Sequence, residues 1–331
     1  MTGRARPDAD PEFVDDLRSF LEDGVDDVVG PATADSGRLV VTKDRLTRAL
    51  SCPVHRSADR GAGRVDDGLH GIVDGRPDGR SFSPALACGA MVGALFRQVV
   101  AVGAVDDPMD DALGALALDE HQAALVGWIR ALPEAERSEL RAEVARQALG
   151  LVERWPSFEP SWLPRTNETA RVPIARGSVE LRARVDFAVG RPDRNRASVA
   201  LVDVVTGTRR PEHRAGRRFD ALVETLRGPA PPFAVATYYS RTGELDVDPV
   251  DHDLLVAAAR RTVRGARVLL GGDESLDDGS TCAVCRTLLR RPPVVVAVDV
   301  ADPMGRDDAP AHPGSTVPVA PVVAFTAGVA A

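Results

Sequence analysis

Near Trp155 the apolar residues of this chain change period, and that change divides the molecule into a helical part and a strand-rich part. Before it the spacing is helical. Phe13, Leu17, Phe20 and Leu21 mark a short amphipathic helix opened by Asp10 and Pro11, and Leu46 and Leu50 share a face in Thr42–Ser51, where Thr42 can cap. Helical spacing returns over Pro84–Ala101 and Asp119–Ala131, and Pro133 opens a further helix with Leu140, Val144, Ala148 and Leu149 on one side. After Trp155 come β-branched stretches at Ala170–Ala175, Val179–Val189 and Ala197–Val205, separated by turn-forming segments, which predicts a three-strand meander. A helix over Arg214–Arg227, strands at Phe233–Tyr239 and Glu244–Val250, a helix over Asp251–Leu270 and a run at Val294–Val298 complete the pattern. This order predicts an α/β fold, a mixed sheet flanked by helices with a helical N-terminal extension. The expected divisions are a tail and short helix over 1–40 and a helical region over 41–154 with a mobile loop at 55–80. An α/β core over 155–300 and a flexible tail over 301–331 follow.

Charge and composition narrow the function classes. The 331 residues carry 41 basic and 49 acidic side chains, a net charge of −8, which argues against a surface that binds nucleic acid all over and permits a local Arg-lined channel. The longest unbroken apolar run, Leu254–Ala259, is far short of the roughly 20 residues a membrane span needs, and no apolar stretch follows the charged N-terminus. The expectation is a cytoplasmic protein without membrane association. Four cysteines make no disulfide framework and leave each as a buried small residue or a metal ligand. All the basic residues but Lys43 are arginine, so chemistry that needs a lysine has one position to draw on.

Carboxylates at strand positions are the candidates for chemistry. Glu168 precedes the first strand of the meander, Asp186 lies in LRARVDFAVG and Asp203 in ALVDVVTG, both among apolar neighbours. A carboxylate there costs several kcal/mol, in order of magnitude, unless it is paired or holds a metal. Two aspartates on neighbouring strands can chelate Mg²⁺, a hard ion that takes oxygen ligands and keeps waters. The alternative is structural: Asp203 bonds the Thr206–Gly207 turn, and Asp186 pairs with an arginine such as Arg184.

In their order these motifs resemble the RecB-like branch of the PD-(D/E)XK nuclease superfamily, whose fold is a restriction-endonuclease-like mixed sheet. Ala183-Arg184-Val185-Asp186 is similar to that family's Gly-x-x-Asp strand, and Asp203-Val204-Val205-Thr206-Gly207 to its Asp-x-Lys-Thr-Gly strand. Cys52-Pro53 and Gly89 to Gly93 occupy the places of an upstream Cys-Pro and a Gly-x-x-x-His helix. The resemblance spans roughly residues 40 to 290 and implies a Mg²⁺-dependent phosphodiester hydrolase acting on DNA, with Asp186, Asp203 and Glu168 in its site. It also departs at decisive places. Val205 stands at the lysine position, Gly93 at the histidine position, and the helix around Arg217 to Leu222 lacks the family's Gln-x-x-x-Tyr. Loss of one charge-stabilising group costs on the order of a hundredfold in rate, and nothing in the sequence places Lys43 in the site.

The resemblance further implies a [4Fe-4S] or zinc site. Cys52, Cys282 and Cys285 fit three of its cysteine positions, and Cys88 is a possible fourth; the alternative is an incomplete cluster that binds nothing. Arg209, Arg210, Arg214, Arg217 and Arg218 follow the Asp203 strand and are available to grip a phosphate backbone, or else form a solvated helix face. The six histidines show no metal-ligand spacing and read as surface residues. The sequence therefore predicts a nucleic-acid-associated family member of weak or no hydrolytic activity, with a helicase or other repair protein as a possible partner. Two alternatives stay open: an active nuclease that recruits a substitute basic residue, and a scaffold protein that has left nucleic acid behind.

Overall fold

The computed structural model describes residues 10–29, 38–51, 82–155, 160–191 and 196–271. The sequence expectations for the 55–80 loop, the Val294–Val298 strand and the 301–331 tail lie outside these residues. Eight α-helices and six strands are found among them: α1 (Pro11–Asp26), β1 (Leu39–Val41), α2 (Lys43–Ser51), α3 (Pro84–Val102), α4 (Pro108–Ala117), α5 (Ala123–Ala131), α6 (Glu134–Arg154), β2 (Arg165–Ile174), β3 (Val179–Val189), β4 (Ala200–Val205), α7 (Pro211–Arg227), β5 (Ala234–Tyr239), β6 (Glu244–Pro249) and α8 (His252–Leu269). The caps follow local chemistry. Asp10 accepts from the Phe13 N–H at the start of α1, and Thr42 Oγ1 accepts from the Arg45 N–H at the start of α2. Helix α4 opens within DDPMDD, a stretch whose sequence reads as a polar break between two helices; it begins at Asp107-Pro108, where the Asp107 carboxylate accepts from the Met109 and Asp110 N–H groups.

The sheet is mixed and its centre is β3. Antiparallel β2 runs along one edge of β3 from the Ile174–Val179 pair to the Arg165–Ala188 pair, joined to it by a left-handed turn at Ala175, Arg176 and Gly177. A strand has two edges, so β1 and β4 must share the other. Parallel β1 takes Val179 to Leu181, and antiparallel β4 takes Phe187 to Val189. Among the described residues the stretch of β3 between them has no strand partner on that edge. From β4 the sheet continues through parallel β5 to antiparallel β6, with α7 as the crossover.

Helices cover both faces. Leu17, Leu21 and Val25 of α1 pack with α7 and α8 on Val172, Ile174, Leu181 and Val235. Helices α3 to α6 pack on the opposite side against Phe187, Val189, Val202, Ala236 and Tyr238. The alternation along β3 slips at Asp186: Val179, Leu181, Ala183 and Val185 face the first core, whereas Phe187 and Val189 face the second. Opposite the slip, Asn167 has a left-handed backbone, φ 59°. Among the described residues one helix, α3, is long and apolar enough to cross a membrane by length and composition, a property that unbroken apolar runs do not reveal because Gly89, Gly93, Arg97 and Gln98 interrupt it. Here Ala87, Met91, Val92, Leu95 and Phe96 of α3 are buried in the second core.

The arginines after β4 form a lock between α7 and β6. Arg214 donates to both oxygens of Asp248 at 3.0 and 2.9 Å, and Arg217, 2% exposed, reaches Asp246 and Asp248 at 3.0 and 3.1 Å. Arg218 joins Asp248, and Arg209 pairs with Glu244 and Asp246. Burial disfavours the ionised Asp248, but Arg214 and Arg217 more than offset it and hold its carboxyl at about 2. A carboxyl depressed on folding contributes stability above its unfolded value of roughly 4 and loses it as pH falls through the folded value. We therefore expect Asp248→Asn to destabilise the protein at pH 7 by roughly 2 to 4 kcal/mol, because Arg217 is left buried and poorly paired. In urea unfolding the gap between wild type and variant should narrow as pH falls from about 4 toward 2; a gap constant over that window excludes the ion-pair origin.

Candidate functional site

The unpaired stretch of β3 is where the charged groups gather. Lys43 is the first residue of α2, directly beyond β1, so the pairing of β1 with the start of β3 brings it to the mouth of the gap. Its ammonium donates to the Arg184 carbonyl at 3.1 Å, to Asp203 Oδ2 at 2.7 Å and to Asp220 Oδ2 at 2.9 Å. At the other side of the gap the last β3–β4 pair is Phe187–Val202, and the N–H of Val204 is taken by Asp186 Oδ2 at 2.8 Å. The Asp186 carboxylate thus stands in for a ladder acceptor and is fixed beside β4.

These residues line a cleft of about 660 Å³. Its walls come from α2, from the Gly89, Ala90, Gly93 and Arg97 face of α3, from β3 and β4, and from Arg210, Glu212, His213 and Gly216 around the start of α7. Small residues on α3 allow close approach: a Cβ on Gly89 would lie 3.4 Å from Thr206 Oγ1. Gly93 and Val205, which stand at the histidine and lysine positions of the sequence resemblance, both line this cleft.

The electrostatics are dominated by three aspartates around one ammonium. Burial disfavours the charge on Lys43, yet Asp203 and Asp220, with Asp186 behind them, more than compensate and keep it protonated. Burial raises the Asp220 carboxyl well above the usual carboxylate range, Lys43 opposing and Asp203 reinforcing the rise. Asp186 is raised by burial and by the Asp203 charge, against Lys43, the Val204 N–H and Arg184. With all three carboxylates ionised the group carries a formal charge of −2, which protons or a divalent cation can balance. Oδ1 of Asp203 and Oδ1 of Asp220 are buried, with no hydrogen-bond donor among the described residues. On the cleft wall, burial and the neighbouring Arg184 charge both disfavour the charged Arg97. Burial, then Arg210, lowers His213, whose Nδ1 lies 3.4 Å from the Tyr239 hydroxyl.

A hard cation fits this donor set in a limited way. Among the described residues no three His, Cys, Asp or Glu side chains are placed to hold a metal together, because the Lys43 ammonium lies between Asp203 and Asp220. Asp186 and Asp203 remain as a two-carboxylate site, and Mg²⁺ is commonly held by one or two carboxylates with waters and substrate oxygens filling its octahedron. The undonated Asp203 Oδ1 is a free acceptor for such an ion.

The other sequence candidates are distributed differently. Glu168 does not join Asp186. It shares a face with Ala170, Val172 and Ile174, lines a crevice on the α7 side with Glu224 and Arg227, and pairs with Arg165 at 3.7 Å. Of the five arginines expected at a phosphate backbone, only Arg210 lines the cleft; Arg209, Arg214, Arg217 and Arg218 are engaged with β6. Cys88 is buried in the second core, where burial pushes its thiol up to about 11 and Gln147 Nε2 lies 3.5 Å from Sγ. Cys52, Cys282 and Cys285 lie outside the described residues. The expectation that Lys43 stands apart from the site is overturned by its bonds to Asp203 and Asp220. His213, read as a surface residue, lines the cleft, as do Arg97 and Gly216.

No protein-family model matches the chain, and no curated protein is significantly similar to it.

Removing the cation from this cluster leaves buried carboxylates facing one another. We expect Lys43→Met to cost on the order of 3 to 5 kcal/mol in urea unfolding at pH 7. The double variant Lys43→Met, Asp220→Leu should cost less than the sum of the single changes by about 1 kcal/mol or more. Additivity within about 0.3 kcal/mol means the pair is not coupled.

Proposed function

We propose that the chain is an active, Mg²⁺-dependent nuclease of PD-(D/E)XK type that hydrolyses phosphodiester bonds of DNA, working in the cytoplasm. One observation carries this reading: the Lys43 ammonium lies 2.7 Å from Asp203, in the same cleft as Asp186. Val205 stands at the lysine position and no lysine lies near it in sequence; Lys43, supplied by another element, supports the alternative of a substitute basic residue.

The residues divide the work. Asp186 and Asp203 would hold Mg²⁺, which when bound supplies a Lewis acid for the phosphate and lowers the pKa of a coordinated water. Lys43 contributes a compact positive charge next to the carboxylates, where negative charge develops during attack on phosphorus. Arg97, Arg184 and Arg210 line the cleft approach. Burial, then the neighbouring Arg184 charge, disfavours the charged Arg97, and a phosphate beside them relieves that repulsion. An overall charge of −8 confines any attraction for nucleic acid to such local groups.

The test is cleavage of single- and double-stranded DNA with and without Mg²⁺. We expect cleavage that chelation stops and that Asp186→Ala, Asp203→Ala or Lys43→Ala each lowers by on the order of a hundredfold or more. Lys43→Arg should not restore the rate, because a planar guanidinium is a poor substitute for an ammonium fitted between two carboxylates. DNA affinity should fall with rising salt in proportion to the phosphates contacted. Absence of both cleavage and low-salt binding rules the reading out.

A further inference from the structure

An ammonium has three N–H donors and no acceptor, and Lys43 has three partners: the Arg184 carbonyl, Asp203 Oδ2 and Asp220 Oδ2. The first is backbone on β3 and the second a side chain on β4, so the sheet fixes both. The third comes from α7, across the first core. Asp220 is 1% exposed and flanked in that helix by buried Phe219, Ala221 and Leu222, a setting that disfavours a carboxyl unless it has a partner. Its side-chain partners are Lys43 and Asp203.

One turn earlier on the same face of α7 stands Gly216. Glycine in a helix interior is disfavoured relative to alanine, and the space it leaves here is filled by the lysine stem. A Cβ at position 216 would lie 3.3 Å from Lys43 Cδ, closer than an ordinary packing contact, and 3.7 Å from its Cβ, an ordinary one. Helix α7 thus carries two residues, each unfavourable by itself, at an i, i+4 spacing that matches the stem and the head of one side chain.

We propose that Asp220 is the positioning residue of the site, and that with Gly216 it forms a seat on α7 which aims the Lys43 ammonium at Asp203 and the cleft. This rests on the nuclease reading for its catalytic consequence, and on contacts alone for the seat. With two anchors the flexible four-carbon stem leaves the ammonium free to swing about the Asp203–Arg184 line; the third fixes it. Asp220 touches neither substrate nor the proposed metal, and acts through Lys43.

The chain's single lysine makes the seat directly observable, since protein labelled with ¹⁵N at lysine gives one Nζ signal. Three variants are read by that signal, by unfolding midpoint and by kcat and KM on DNA. Asp220→Ala should move the Nζ signal and lower kcat by about tenfold to a hundredfold with KM unchanged, the scale expected when a reacting group is misplaced by about 1 Å. Asp220→Asn keeps an oxygen facing the ammonium and should lose less. Gly216→Ala raises helix propensity and crowds the stem, so it should unfold no earlier than wild type yet move the Nζ signal. If Asp220→Ala and Gly216→Ala leave the Nζ signal in place, the seat is overturned, whatever happens to stability. Should wild type cleave no DNA, the nuclease reading fails and the Nζ signal alone decides the seat; if Asp220→Ala does not fold, Gly216→Ala decides it in the same way.

Discussion

A single ammonium surrounded by carboxylates is the interaction on which the arrangement of this protein turns. Lys43 ties the helix after β1 to the middle of β3, to the end of β4 and to the centre of α7 through three hydrogen bonds. Without a cation there, Asp203 and Asp220 face each other in a buried setting, and a buried charge without a partner is among the costlier defects a fold can carry. The shape of the sheet makes the meeting possible. Because β1 and β4 share one edge of β3 and leave a gap between them, there is a place in a paired sheet where a side chain can reach a strand carbonyl.

The second charged assembly solves a different problem. Among the described residues β6 is the last strand of the sheet, and its aspartates alternate with Leu245 and Val247, which are exposed at 50% and 42%. Asp246 and Asp248 face α7, where four arginines from one short stretch meet them. The electrostatic energy of that stretch is committed within the molecule, which is why arginine density along the sequence was a poor guide to where an anionic ligand is met. The cleft arginines come instead from α3 (Arg97), from β3 (Arg182 and Arg184) and from the residue before α7 (Arg210).

Much of the architecture could be read from the sequence because it follows local rules. Proline and acidic caps placed the starts of α1 and α6, alternation placed β3, and Gly228-Pro229 ended α7. Strand β1 escaped because three apolar residues carry too little pattern to separate from a loop, and α4 because its cap, Asp107-Pro108, sits among other acidic residues that read as a break. For the site, Asp186 and Asp203 were visible as carboxylates inside apolar strands. Glu168 looked equivalent, but its place on β2 puts it in a separate crevice, with Glu224 and Arg227. The lysine was invisible to any reading by proximity, since 160 residues separate it from Asp203. A signal did exist. Asp220 lies amid Phe219, Ala221 and Leu222 on the buried face of an amphipathic helix, and a carboxyl there demands a cation from somewhere; the chain's lone lysine, directly behind a strand-like Leu-Val-Val, was a fitting source.

The fork in the sheet also dictates an order of assembly. Strands β2, β3 and β4 are neighbours in sequence and can pair as a local meander, whereas β1 joins β3 across some 140 residues, as the Leu39–Val179 partnership shows. Contacts of such separation form late, after shorter loops have closed. The carboxylates of β3 and β4 are therefore in place before the lysine arrives, and partly folded chains carry an acidic pocket without its cation. On this ordering the completed charge cluster is a marker of the finished fold, and a ribosome-bound chain that ends before α7 lacks Asp220 and cannot complete it.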